Sequence, residues 1–141
     1  MKAETLSEYA CGYTNEGYTG ATAYYGSSLV LKSGTDIKYY FTPAADIGSY
    51  NCSDGTNSYE VVASGSYIYV RVLNILAHNL GNNVALTLYE NDTAVGTISY
   101  SPMSYAYAVL SKYGAGEKDT LRNVVIALYD YYENAKAYRA A

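Results

Sequence analysis

The sequence predicts an α+β fold: an antiparallel, β-sandwich-like body with two C-terminal helices packed on it. Three observations lead there. Short β-favouring runs, separated by turn residues, fill the stretch between Ser28 and Tyr100. Beyond Ser101 the apolar spacing changes from a period of two to helical spacing. Half of the 141 residues are apolar and 16% are charged, which gives one domain enough material for a packed core. A sheet-forming half followed by a helical half predicts helices laid on an antiparallel sheet.

The elements follow in order. Residues 1–25 are a Tyr/Gly-rich N-terminal segment without a clean period, with a short helix expected near Glu4–Ala10. Residues 26–141 make the sandwich-like domain. Ser28–Leu31 and Ile37–Phe41 are strand-like and flank Ser33-Gly34-Thr35, and the stretch from Pro43 to Gly48 breaks the pattern. Cys52-Ser53-Asp54-Gly55-Thr56-Asn57 is a turn signal. Tyr59–Val62 and Tyr67–Leu73, joined across Ser64-Gly65-Ser66, suit a hairpin. In the second of these runs a period of two places Ile68, Val70 and Val72 on one face and Tyr67, Tyr69 and Arg71 on the other. Val84–Tyr89 alternates likewise, with Val84, Leu86 and Leu88 apolar, and Asn91-Asp92-Thr93 turns the chain into Val95–Tyr100. Ser101-Pro102 reads as an N-cap followed by proline at the first helical position. One helix is expected over 102–113, with Met103, Ala106, Tyr107 and Leu110 on one side and Gly114 ending it. A second is expected over 118–139, where Leu121, Val124, Val125, Leu128, Tyr132 and Ala135 keep the spacing.

Composition narrows the function. The formal charge is −4 and the nine Lys and Arg residues are scattered, which speaks against nucleic-acid binding. No apolar run reaches the ~18 residues of a membrane span, so no membrane insertion is expected. The first ten residues lack the apolar core of a signal peptide, so a secreted form would be a mature piece of something longer. Twenty residues are tyrosine, against one phenylalanine (Phe41) and no tryptophan. Tyrosine packs against apolar neighbours yet keeps a hydroxyl for water or a partner, and it offers contact area at small entropic cost. That usage fits an extracellular or cell-surface binding module better than an intracellular catalyst. Cys11 and Cys52 are the only cysteines. In a small Tyr/Gly/Ser-rich domain they are expected to pair as a disulfide in an oxidising compartment, contributing about 3–4 kcal/mol. The alternative is two free thiols.

The stretch from Asn74 onward carries a resemblance. Ile75-Leu76-Ala77-His78-Asn79-Leu80-Gly81 has the form of a strand ending in an "I-x-A-x-x-L-G/D" turn. Ser104–Leu110 matches an "S-Y-A-Y-x-V-L" helix, and Leu121–Tyr131 resembles an "L-x-x-L-V-x-A-L-Y-x-Y" helix, with Val124 in place of the second leucine. With GSSLVLKSGTDIKYYF as its first two strands, residues 26–139 resemble an accessory module found in large secreted and cell-surface proteins of gut Firmicutes. The resemblance implies a non-catalytic domain beside other domains of the same polypeptide, and it brings no catalytic residues with it. The Tyr/Gly-rich start and the cysteine pair depart from it.

The candidate sites are few. His78 is the only histidine and lies in a tight connection, so no Ser–His–Asp or Cys–His arrangement is expected. Neither a zinc ligand set nor a phosphate loop is visible, and no cofactor is expected. Asp36, Asp46, Asp54, Glu90 and Asp92 sit at turns, without the paired arrangement a glycosidase needs. Asp54-Gly55-Thr56-Asn57 has oxygen ligands for calcium but lacks the spaced acidic pattern, so a plain turn is favoured. Asn51 and Asn91 head glycosylation sequons that matter only in a eukaryotic secretory pathway. The one constellation with a function is aromatic. If their strands share a sheet, Tyr40, Tyr67, Tyr69 and Tyr89 form a strip that binds a polysaccharide or a protein partner, with Arg71 supplying hydrogen bonds. The competing expectation is that the helices cover this face and the same rings are core. The function expected is adhesion or recognition without catalysis, and the alternative is a structural spacer or self-assembling subunit.

Overall fold

A computed structural model describes residues 2–15, 18–31, 34–42 and 49–140, the last without its side chain. The predicted break from Pro43 to Gly48 therefore lies outside the described residues, apart from its flanks. Among the described residues, nine strands form two antiparallel sheets: β1 Gly12–Thr14, β2 Ala23–Leu31, β3 Thr35–Thr42, β4 Tyr50–Ser53, β5 Ser58–Tyr59, β6 Val61–Ser64, β7 Tyr67–Ile75, β8 Val84–Glu90 and β9 Thr93–Tyr100. One sheet runs β1-β9-β8-β4-β5 and the other β2-β3-β7-β6. Helices α1 (Pro102–Lys112) and α2 (Asp119–Ala140) follow, and a 3-10 helix over Ala3–Tyr9 begins the fold.

Alternation builds the sandwich. Ile37, Tyr39 and Phe41 of β3, and Ile68, Val70 and Val72 of β7, face Cys52, Leu86, Leu88, Ile98 and Tyr100 of the other sheet in one core. At about 25 cal/mol per Å² of apolar surface, each large side chain removed from water there contributes roughly 1.5–3 kcal/mol. Two-residue turns hold the register. Gly65-Ser66 links β6 to β7 with Gly65 at φ +61°, and Asn91-Asp92 links β8 to β9 with both residues in the left-handed region.

Three features differ from the sequence expectation. The predicted strand Tyr59–Val62 is two strands, because the chain leaves one sheet at Tyr59 and joins the other at Val61. Alternation shows which way a side chain faces but not which edge the strand joins. The N-terminal residues belong to the core: Leu6 is fully buried among Met103, Leu110, Val125 and Leu128, and β1 pairs with β9. Gly96 makes room for that pairing, since a Cβ there would lie 2.9 Å from the Thr14 carbonyl oxygen. Cys11 and Cys52 are both free. Cys11 precedes β1, and Cys52 lies in β4, three strand spacings away in the same sheet, about 14 Å. A disulfide needs Cα atoms within about 7 Å.

The helices build a second core with the N-terminus and the Leu80 turn. In α1, Met103, Ala106, Val109 and Leu110 are buried, and Tyr107 is half-buried. In α2, Val125, Leu128 and Tyr132 point inward, while Val124 is 40% exposed on the far side. Gly81 carries no side chain because a Cβ would run into the Tyr132 ring. Entry into α1 is set by a reciprocal cap. The Ser104 N–H donates to Ser101 Oγ at 3.2 Å, and the Ser101 N–H donates to Ser104 Oγ at 2.9 Å.

Two measurements check this arrangement. Ser101→Ala leaves a buried helix end uncapped and should cost about 1–2 kcal/mol, read as a lower urea midpoint. Native protein without reductant should take up iodoacetamide at Cys11 alone, because burial pushes the Cys52 thiol up to about 12. Detection by mass spectrometry of an intact Cys11–Cys52 bridge in native protein would contradict the strand order.

Candidate functional site

The outer face of the four-stranded sheet follows from the inner one. Since Ile37, Tyr39 and Phe41 point into the sandwich, Asp36, Lys38 and Tyr40 point out. Since Ile68, Val70 and Val72 point in, Tyr67, Tyr69 and Arg71 point out. Register then makes neighbours of them: Tyr40 lies opposite Tyr69, and Lys38 lies opposite Arg71. The Tyr40 and Tyr69 rings meet at 5.8 Å between centroids. Two residues along β7, the Tyr67 ring meets Tyr25 of β2 edge-on at 5.1 Å. Tyr25 sits at the β2 irregularity between Tyr24 and Gly26, where an extra residue re-aims a side chain. It is 67% exposed, while Tyr40, Tyr67 and Tyr69 are half-buried.

Polar groups close one end of the strip. Arg71 donates from Nε at 3.2 Å and from Nη2 at 2.7 Å to the same oxygen of Asp36. The other Asp36 oxygen accepts the Asn74 N–H at 2.9 Å, and Asn74 adopts a left-handed backbone (φ 57°) there. That N–H, and then the guanidinium, hold the Asp36 carboxyl below the usual carboxylate range. The Lys38 ammonium lies over the Tyr69 ring, 4.7 Å from its centroid.

Of the sequence candidates, Tyr40, Tyr67, Tyr69 and Arg71 come together on this face. Tyr89 does not: it lies on β8, in the other sheet, opposite Asn51 and Ala94. The helices do not cover the strip either. They pack on each other, on the Ala3–Tyr9 helix and on the Ala77–Asn79 turn, and α1 reaches the sandwich at edge strand β2. Sequence reasoning missed three members. Lys38 and Asp36 follow from applying the alternation of β3 to its polar positions. Tyr25 carries no such signal, because its orientation comes from the strand irregularity.

Asp54 accepts the Thr56 N–H at 2.8 Å, the Asn57 N–H at 2.6 Å and the Tyr59 hydroxyl at 2.8 Å, so its oxygens are engaged by the turn itself and its pKa is pulled to about 2. His78 is half-buried in the short 3-10 turn Ala77–Asn79. A cleft of about 420 Å³ between β2 and α1 is lined by Tyr24, Tyr100, Tyr105, Lys112 and Tyr113, with no carboxylate and without His78. Among the described residues, no three His, Cys, Asp or Glu side chains gather as metal ligands, and no helix is long and apolar enough to cross a membrane. No family model, curated protein or solved structure matches the chain.

The buried phenols give a pH signature. Burial raises the Tyr24, Tyr39 and Tyr100 hydroxyls and the Cys52 thiol, so each stays neutral in the fold and ionises more readily once unfolded. Their stabilisation is whole below the unfolded values, about 8.5 for a thiol and about 10 for a phenol, and is lost as pH rises beyond them. The urea midpoint should fall from about pH 9 upward. In a 295 nm titration these rings should ionise only together with loss of the circular dichroism signal. Smooth ionisation of all twenty tyrosines in a folded protein would contradict the burial.

Proposed function

We propose that this chain is a non-catalytic recognition module, working outside the cell or on its surface, that binds a polysaccharide through the outer face of its four-stranded sheet. The observation that carries this is the pair of ring contacts, Tyr25–Tyr67 and Tyr40–Tyr69, side by side on a sheet face that the helices leave open. A tyrosine face stacks on the apolar C–H face of a sugar ring while its hydroxyl meets the sugar's hydroxyls. The two contacts are about 7 Å apart along β7, a spacing comparable with that of neighbouring rings in a sugar chain. Neighbouring tyrosines already hold these rings, so little side-chain freedom is lost on binding. The resemblance of residues 26–139 to accessory modules of surface proteins agrees with a role beside catalytic or adhesive neighbours.

A second reading has its own observation. Tyr131 and Tyr138 of α2 are 60% and 84% exposed, on the same helix as the exposed Val124. That surface favours assembly with another protein.

The test is a glycan array followed by calorimetry on the best ligand. Wild type should bind at least one polysaccharide. Tyr67→Ala with Tyr69→Ala should weaken it by about 30-fold or more, at roughly 1 kcal/mol or more per ring, with circular dichroism unchanged. Undiminished binding by the double variant rules out this face. Concentration-dependent association in light scattering, with no glycan bound, would support the α2 reading instead.

A further inference from the structure

The charges on the tyrosine face carry the recognition one step further. Lys38 and Arg71 lie directly opposite each other on β3 and β7. Like charges in that position destabilise a sheet. One carboxylate, Asp36, answers two cations, and the geometry commits it entirely: one oxygen takes both Arg71 donors and the other takes the Asn74 N–H. Among the described residues Lys38 makes no ion pair, and its ammonium rests over the Tyr69 ring. Lys38 is thus a cation on this face without a carboxylate of its own among the described residues. It stands where the aromatic strip meets its polar end, beside the Tyr40–Tyr69 contact.

We infer that the ligand is an acidic polysaccharide, a chain carrying carboxylate groups, with a carboxylate seated on Lys38 while adjoining sugar rings lie along Tyr69, Tyr40 and Tyr67. This rests on the proposed recognition face and names the class of sugar it selects. The bound carboxylate supplies the counter-charge that Lys38 lacks among the described residues. Arg71 stays clamped to Asp36 and acts as a wall, not as the anion receptor. Lys38 presents a single mobile cation, suited to a carboxylate whose angle varies along a flexible chain. A neutral polysaccharide would stack on the same rings and leave Lys38 without a counter-charge.

The experiment is calorimetry with three uronate polymers (polygalacturonate, alginate and hyaluronan) and with the methyl-esterified form of each, which keeps the backbone and removes the charge. Wild type should bind at least one of the acid forms, about tenfold or more tighter than its ester, with affinity falling as salt rises. Lys38→Met keeps the aliphatic stem over Tyr69 and should erase the preference for acid over ester, and Lys38→Arg should restore it. Equal affinity for acid and ester, or a preference that survives Lys38→Met, overturns this inference and leaves the recognition face standing. So does binding confined to neutral polysaccharides on the glycan array. If no polysaccharide binds at all, both fall. If an acidic peptide such as polyglutamate binds through Lys38 and no polysaccharide does, the face is a protein-docking surface and the sugar assignment is wrong.

Discussion

The pairing of β3 with β7 over the sandwich core decides everything on the opposite side of their sheet. Six apolar side chains, Ile37, Tyr39, Phe41, Ile68, Val70 and Val72, must leave water together. With a side-chain period of two, that requirement also dictates what faces outward. A slip of one residue in either strand would bury Lys38 or Tyr69 and expose Tyr39 or Val70, at a cost of several kcal/mol. The placement of Tyr40 beside Tyr69, and of Lys38 beside Arg71, is thus held by core burial and needs no strong interaction among the surface groups themselves. This allows a sheet to keep two cations opposite each other.

The openness of the face depends on the second core. An amphipathic helix must bury its apolar stripe somewhere, and the nearest apolar surface in an α+β domain is normally the sheet. Here the N-terminal segment supplies an alternative. Leu6 enters the α1–α2 contact, Leu80 and Tyr132 close it from the far end, and α1 meets the sandwich chiefly at edge strand β2. Leu29, Ile75 and Tyr105 pack against both cores and join them. A Tyr/Gly-rich start with no period of its own therefore has a consequence for that face. It engages the helices at the side of the sandwich, and the outer face of β3 and β7 stays in contact with solvent.

Much of this was legible in the sequence, and the failures have physical causes. The alternation of Tyr67–Leu73, the Ser101-Pro102 start of α1 and the spacing of α2 are local signals, and each produced its element within a residue or two. Sheet membership is not local. Nothing in Tyr89 or its neighbours reveals that β8 pairs with β4 and β9 and not with β7, so the strip appeared one ring too long. The same blindness joined Tyr59 to Val62 and brought Cys11 toward Cys52. Burial of Leu6 was hidden because one leucine in a short 3-10 helix makes no pattern. Lys38 was readable from the start, since it lies in the strand-like run Ile37–Phe41 two residues before Tyr40, whereas Asp36 fell just outside that run.

The polar end of the strip shows how a surface ion pair acquires a role beyond stability. Exposed pairs of this kind contribute little to folding, at most about 1 kcal/mol. Arg71 is 40% exposed at its side chain, so the Asp36 contact is of that class. Its effect lies in geometry. Two donors on one oxygen and the Asn74 N–H on the other fix the guanidinium plane and the turn after β7 at once. The cation that might have competed for a ligand is thereby withdrawn. Lys38 remains, steadied by the Tyr69 ring yet without a carboxylate of its own. A fold indifferent to ligands would gain by placing an acid beside it, since an opposite charge across the strand stabilises and a like charge does the reverse. Stability alone therefore does not favour Lys38 opposite Arg71, and the proposed carboxylate ligand would supply the missing counter-charge.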